Sequence, residues 1–137
     1  MIDGLILENT FTSIPRLIKA RLPSFLAPLI DLMITMEWDS YAKISDIDLP
    51  MFFTTGNQDV IVPAHVSHML YERAERSIHK VMYVEEKGGH FDTWLLDLER
   101  YLEELNGFMT RAREKRGQTG LSAGVKQSER TSEKSDG

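Results

Sequence analysis

Two residues in this chain have the type and placement for proton-transfer chemistry, an aspartate and a histidine that each follow an apolar run and a glycine. Asp59 lies in Gly56-Asn57-Gln58-Asp59-Val60-Ile61-Val62-Pro63, directly after the run MFFTT. His90 lies in Gly88-Gly89-His90-Phe91-Asp92-Thr93-Trp94, directly after VMYVEEK. A carboxylate that accepts the Nδ1 proton of an imidazole fixes the tautomer in which Nε2 is free to act as a base. The pair therefore reads as a candidate catalytic dyad, Asp59 orienting and His90 transferring the proton. The plainer alternatives are that Asp59 caps a turn and that His90 is a hydrogen-bonded loop histidine.

For the two side chains to meet, their loops must leave the same edge of one sheet, and the sequence around them has the pattern of such a sheet. Leu5 to Leu7, Met51 to Thr55 and Val81 to Val84 are short apolar runs without polar alternation, as in parallel strands covered on both faces. Ligands in open parallel sheets bind where loops leave the carboxyl ends of the strands. Helical patterns lie between and after the runs. Val66, Met69, Leu70 and Ala74 share a helical face behind Pro63, a residue suited to a first helical position. Trp94, Leu95, Leu98, Leu102, Leu105 and Met109 form a second apolar stripe. Pro15, Pro23 and Pro28 divide the region from Ser13 to Met36 into short pieces, expected to form an excursion over the sheet. The fold class is α/β, with three parallel strands in the order Ile2–Leu7, Met51–Thr55, Val81–Val84.

Composition supports one folded domain. The 137 residues are 42% hydrophobic and 27% charged, with a formal net charge of −5 that argues against nucleic acid as a partner. Cysteine is absent, so disulfides, thiolate metal sites and cysteine nucleophiles are excluded. No secretory signal opens the chain. The longest apolar region, Phe25 to Met36, is broken by Pro28 and Asp31 and falls short of the roughly 20 residues that cross a bilayer. The chain is expected to be soluble, with its compartment unknown. Residues 1–110 carry nine basic and seventeen acidic side chains and form the expected domain. Residues 111–137 carry seven basic and four acidic ones and only Leu121 and Val125 as apolar residues larger than alanine. That segment is expected to be a disordered polar tail, because it cannot offset about 1–2 kcal/mol of backbone entropy per ordered residue.

Other candidate groups have weaker claims. His65 and His68 could share a helical face, but no third ligand or HExxH frame accompanies them, so they read as solvent-facing residues. Asp46 and Asp48 precede a strand and belong at the opposite edge from Asp59 and His90. Asp92 is expected to cap the helix that starts near Thr93. No cofactor or metal is called for.

The segments LILENTFTSIP (Leu5–Pro15), TGNQDVIVP (Thr55–Pro63) and GGHFDTW (Gly88–Trp94), in this order, make the chain resemble the C-terminal part of an α/β-hydrolase. It is most similar to the branch of α/β-hydrolase domain-containing protein thirteen and its fungal Bem-type relatives, over roughly residues 2–109. The branch often has asparagine where this chain has Phe91. The resemblance implies a partial form of a mostly parallel eight-stranded fold, of which these would be the last three strands. It also implies Asp59 as triad acid, His90 as triad base, and a serine nucleophile in a G-x-S-x-G elbow upstream. No such elbow occurs in the sequence. Ser13, Ser24, Ser40, Ser45, Ser67 and Ser77 all lack its glycine frame. The implied activity is hydrolysis of esters or thioesters by a serine hydrolase, with this chain alone inactive. Relatives are often membrane-anchored, and some nearby hydrolases remove acyl chains from proteins. The alternative is a catalytically silent fragment or interaction module, and an unpaired first strand could support self-association.

Overall fold

The computed structural model describes residues 2–19, 22–26, 28 and 39–132, with side chains as far as residue 118. Strand β1 (Leu5–Glu8) is followed by helix α1 (Ile14–Lys19), a 3-10 turn (Ser24–Leu26) and helix α2 (Ser40–Ile44). Then come β2 (Met51–Gly56), α3 (Ala64–Arg73), β3 (Lys80–Glu85) and α4 (Leu98–Ser132). The strands form one parallel sheet in the order β1-β2-β3, with Leu5 beside Met51 and Met51 beside Lys80. Part of the region expected to pass over the sheet, including most of Phe25 to Met36, lies outside the described residues.

β2 is the centre of the domain because it has a neighbour on each edge and a helical layer on each face. All six of its residues are buried. Met51 and Phe53 point to one face, where Ile44 of α2, Leu70 of α3 and Ala74 just after it complete a cluster. Phe52 points to the other, against Tyr83, Phe108 and Ala112. The strand's two-residue period thus divides one apolar run between two cores. Burying each of these large side chains contributes about 1.5–3 kcal/mol.

The helical stripes differ from those expected. On α3 the buried face is Ser67 and Leu70, continued by Ala74 at its C-terminal end, while Met69 is exposed. After β3, residues 93–97 are turns and α4 begins at Leu98. Its seam against the sheet is Tyr101, Leu105, Phe108 and Ala112, in the i, i+4, i+7, i+11 pattern of one helical face. Trp94, Leu95, Leu98, Leu102 and Met109 are exposed. The apolar face of α4 is broader than the strip the sheet covers, and the sheet selects the side with the aromatic rings. Phe52 meets Tyr101 edge-on at 5.9 Å and Phe108 at 5.4 Å between ring centroids.

The boundary placed after Thr110 does not coincide with the end of packing. Helix α4 continues to Ser132, and Ala112 is buried against the sheet. The described part of the polar segment, as far as Ser132, continues the helix, and its Arg, Glu, Lys, Gln and Ala residues are good helix formers extending a helix already nucleated on the core. Among the described residues no helix is long and apolar enough to cross a membrane.

The start of β3 and α4 also carries a pH-dependent contact. The His79 ring stacks on Phe108 at 5.7 Å, with Nε2 buried and without a hydrogen-bond partner. Burial lowers its pKa below the usual 6.5, and the positive charges of Arg111 and Lys115 lower it further. The folded state therefore holds His79 neutral and binds fewer protons than the unfolded chain. This contribution is complete above the unfolded value of about 6.5 and is lost as pH falls from there through the lowered folded value. Melting followed across that window is expected to show stability declining on acidification, with the decline reduced in His79→Phe.

Candidate active site

The loop after β2 begins at Gly56 and the loop after β3 begins beyond Glu85, two residues that are partners in the sheet. Backbone hydrogen bonds join the loops directly, from Asn57 N–H to Glu85 C=O at 2.9 Å and from Gln58 N–H to Gly88 C=O at 2.9 Å. The approach is so close that a Cβ on Gly56 would overlap the Gly88 carbonyl. Glycine is required there by contact, not by torsion, since no described glycine has positive φ.

Asp59 turns its carboxylate inward. Oδ1 accepts the Ile61 N–H at 2.7 Å and the Val62 N–H at 2.8 Å, a local turn that fixes its orientation. Oδ2 lies 2.7 Å from Nδ1 of His90. One Asp59 oxygen thus serves the turn and the other meets the imidazole. The Asp59 side chain is 0% exposed and that of His90 24%. A carboxylate can only accept, so in a neutral imidazole Nδ1 carries the proton and Nε2 presents a lone pair. An imidazole held in this way can take a proton at Nε2 and have its positive charge stabilised by the buried carboxylate.

The histidine loop has its own framework. Asp92 does not cap a helix as expected. Its Oδ1 accepts the Gly89 N–H at 2.6 Å, holding the turn on which His90 sits. The start of α4 is served instead by Asp97, whose Oδ1 accepts the Arg100 N–H at 3.2 Å. The fully buried Thr93 donates its hydroxyl to Gly89 C=O at 2.8 Å. Phe91 is 79% exposed, with its ring edge-on to the His90 imidazole at 4.8 Å. His65 and His68 are exposed on α3, and no third ligand joins them among the described residues. Asp46 and Asp48 are exposed before β2, at the opposite end of the sheet.

One residue at the site received no role in the sequence reading. Asn9, just after β1, is the only described non-glycine residue with positive φ, at 41°. Its signal was an asparagine directly behind a strand, a residue that tolerates the left-handed region.

No family model matches the chain. It is 35% identical over 112 residues to the α/β hydrolase domain-containing protein WAV2 of Arabidopsis thaliana, an overlap of 73% of this chain and 36% of that protein. The chain belongs to the α/β-hydrolase superfamily. An uncharacterised membrane protein of Saccharomyces cerevisiae, YNL320W, is 34% identical over 97 residues, covering 69% of this chain and 33% of that protein. The chain thus spans about a third of the length of these curated relatives. Two crystal forms of the Pyrococcus furiosus esterase Pf2001 share its fold, each at a TM-score of 0.58 and 17% identity. One match covers 79% of this chain and the other 77%, each 44% of the esterase. Three parallel strands with flanking helices make the described residues a C-terminal part of the α/β-hydrolase fold.

Proposed function

We propose that this chain supplies the acid and the base of a serine hydrolase that cleaves carboxylic esters or thioesters. The observation that carries the reading is the 2.7 Å contact between Asp59 Oδ2 and His90 Nδ1 at the carboxyl ends of adjacent parallel strands. In this reading the nucleophilic serine belongs to sequence N-terminal to these residues, since no G-x-S-x-G occurs within them. His90 Nε2 takes the serine proton as the oxygen attacks the acyl carbon. The imidazolium, paired with Asp59, then returns that proton to the departing alkoxide or thiolate. Water repeats the sequence on the acyl-enzyme. The outer edge of β1, which has no paired strand among the described residues, is where a further strand or a second copy would add. The name of the yeast relative favours a membrane-associated parent protein.

The absence of a nucleophile frame favours a second reading, a silent fragment or interaction module. A fluorophosphonate probe separates the two. The isolated 137-residue chain is expected to remain unlabelled, and a full-length parent is expected to be labelled at one serine outside these residues. Labelling of a serine within residues 1–137 would overturn the assignment of the nucleophile. A parent that carries the elbow yet resists the probe would favour the silent reading.

A further inference from the structure

Asn9 links the end of β2 to the histidine loop. It is buried to 5% exposure, and its backbone N–H donates to Thr54 C=O of β2 at 3.0 Å. Its carboxamide then spans both loops. Oδ1 accepts the Gly56 N–H at 3.3 Å, where the acid loop leaves β2. Nδ2 donates to His90 C=O at 2.7 Å and to Thr93 Oγ1 at 3.2 Å. The orientation of the amide is determined by these partners, because Gly56 offers a donor and His90 an acceptor. Both Nδ2 protons are used, and Thr93 passes the connection on to Gly89 C=O.

The Asp59 carboxylate is held by the amides of its own loop, whereas the histidine's backbone is held from outside by Asn9. A left-handed backbone is unfavourable at most non-glycine residues, and asparagine is among those that tolerate it best. Here that conformation turns the carboxamide back across the ends of the strands. We propose that Asn9 is a positioning residue of the Asp59–His90 pair, its carboxamide clamping the His90 carbonyl so that Nδ1 meets the buried carboxylate. The functional meaning of the clamp rests on the reading of His90 as a base, but its geometric effect can be measured without any turnover.

The experiment is NMR on the complete 137-residue chain with nitrogen-labelled histidine, reading the tautomer of His90 and the exchange of its Nδ1 proton. The wild type is expected to show a single Nδ1–H tautomer with a protected proton. Asn9→Gly keeps the positive φ available and deletes the carboxamide. Asn9→Asp keeps size and an acceptor for Gly56 but sets a carboxylate oxygen against His90 C=O. Both are expected to give mixed tautomers and at least about tenfold faster exchange while the chain still melts cooperatively. A purely structural role would lower the melting temperature and leave the tautomer unchanged in the folded population. Wild-type tautomer and exchange in both folded variants would overturn the proposal.

If neither variant folds, exchange in the wild type decides. The Asn9 Nδ2 protons and the His90 Nδ1 proton should respond in parallel to low denaturant, and independent opening of the two would overturn the proposal. The catalytic reading fails separately. Should His90→Ala leave a full-length parent fully active while Asn9→Gly still shifts the His90 tautomer, positioning stands and catalysis does not.

Discussion

His90→Ala in a full-length parent carrying the serine is expected to lower kcat/KM for an ester substrate by about 10⁴-fold, with the folded structure retained. His90 lies at a loop tip, with side-chain contacts to Asp59 and Phe91, so its truncation leaves the sheet and both cores intact. Asp59→Asn is expected to come close to the same loss for a reason visible in the geometry. The Ile61 and Val62 amides both need an acceptor, so they hold the oxygen of an asparagine on their side. Its NH₂ group then faces His90, Nδ1 must accept, and the ring takes the tautomer with the proton on Nε2. That tautomer cannot deprotonate a serine. Asp92→Asn is the control, because the Asp92 carboxylate holds the Gly89 amide and does not contact the His90 ring. It should retain most of the activity. Undiminished turnover in Asp59→Asn would remove Asp59 from the triad role.

The sheet and the Asp59–His90 contact were legible because the signals that specify them are local. MFFTT is followed by a glycine, its residues suit a strand covered on both faces, and Asp59 comes three residues after that glycine. VMYV reads in the same way ahead of Gly88, Gly89 and His90. Such segments show where the loops leave the sheet, and a parallel arrangement puts both exits at one edge. Helix α4 was less legible, because Leu98, Leu102 and Met109 offer as good a stripe as Tyr101, Leu105 and Phe108. Only contact with Phe52 and Tyr83 chooses between them. Ala112 was assigned to a polar tail for the same reason, since one small apolar residue in a charged stretch gains meaning only when a sheet lies beneath it. Asn9 stood in a recognisable segment, yet its partners Gly56, His90 and Thr93 come from distant parts of the chain. Nothing in its own neighbourhood reports them.

Gly56→Ala is expected to be the most damaging glycine-to-alanine change among the described residues, costing about 3 kcal/mol or more and separating the acid loop from the histidine loop. The added Cβ would overlap the Gly88 carbonyl and stand 2.6 Å from the Gly89 oxygen. These are backbone atoms, so no side-chain rotation relieves the contact. Gly88 cannot retreat freely either. Its C=O accepts the Gln58 N–H and its N–H donates to Glu85 C=O, and Asp92 and Thr93 tie down the neighbouring Gly89. The remaining route is for the two loops to part, which stretches the Gln58–Gly88 bond first and carries His90 away from Asp59. Two measurements test this together, a large drop in melting temperature and loss of the protected His90 Nδ1 proton in whatever fraction stays folded. Gly89→Ala is the comparison, because a Cβ there meets only the Asp92 Oδ1 at 3.3 Å, the end of a side chain that can yield by a few tenths of an ångström. A Gly56→Ala protein as stable as wild type, with its His90 proton still protected, would mean that the two loops are not held together by the contact seen at the sheet edge.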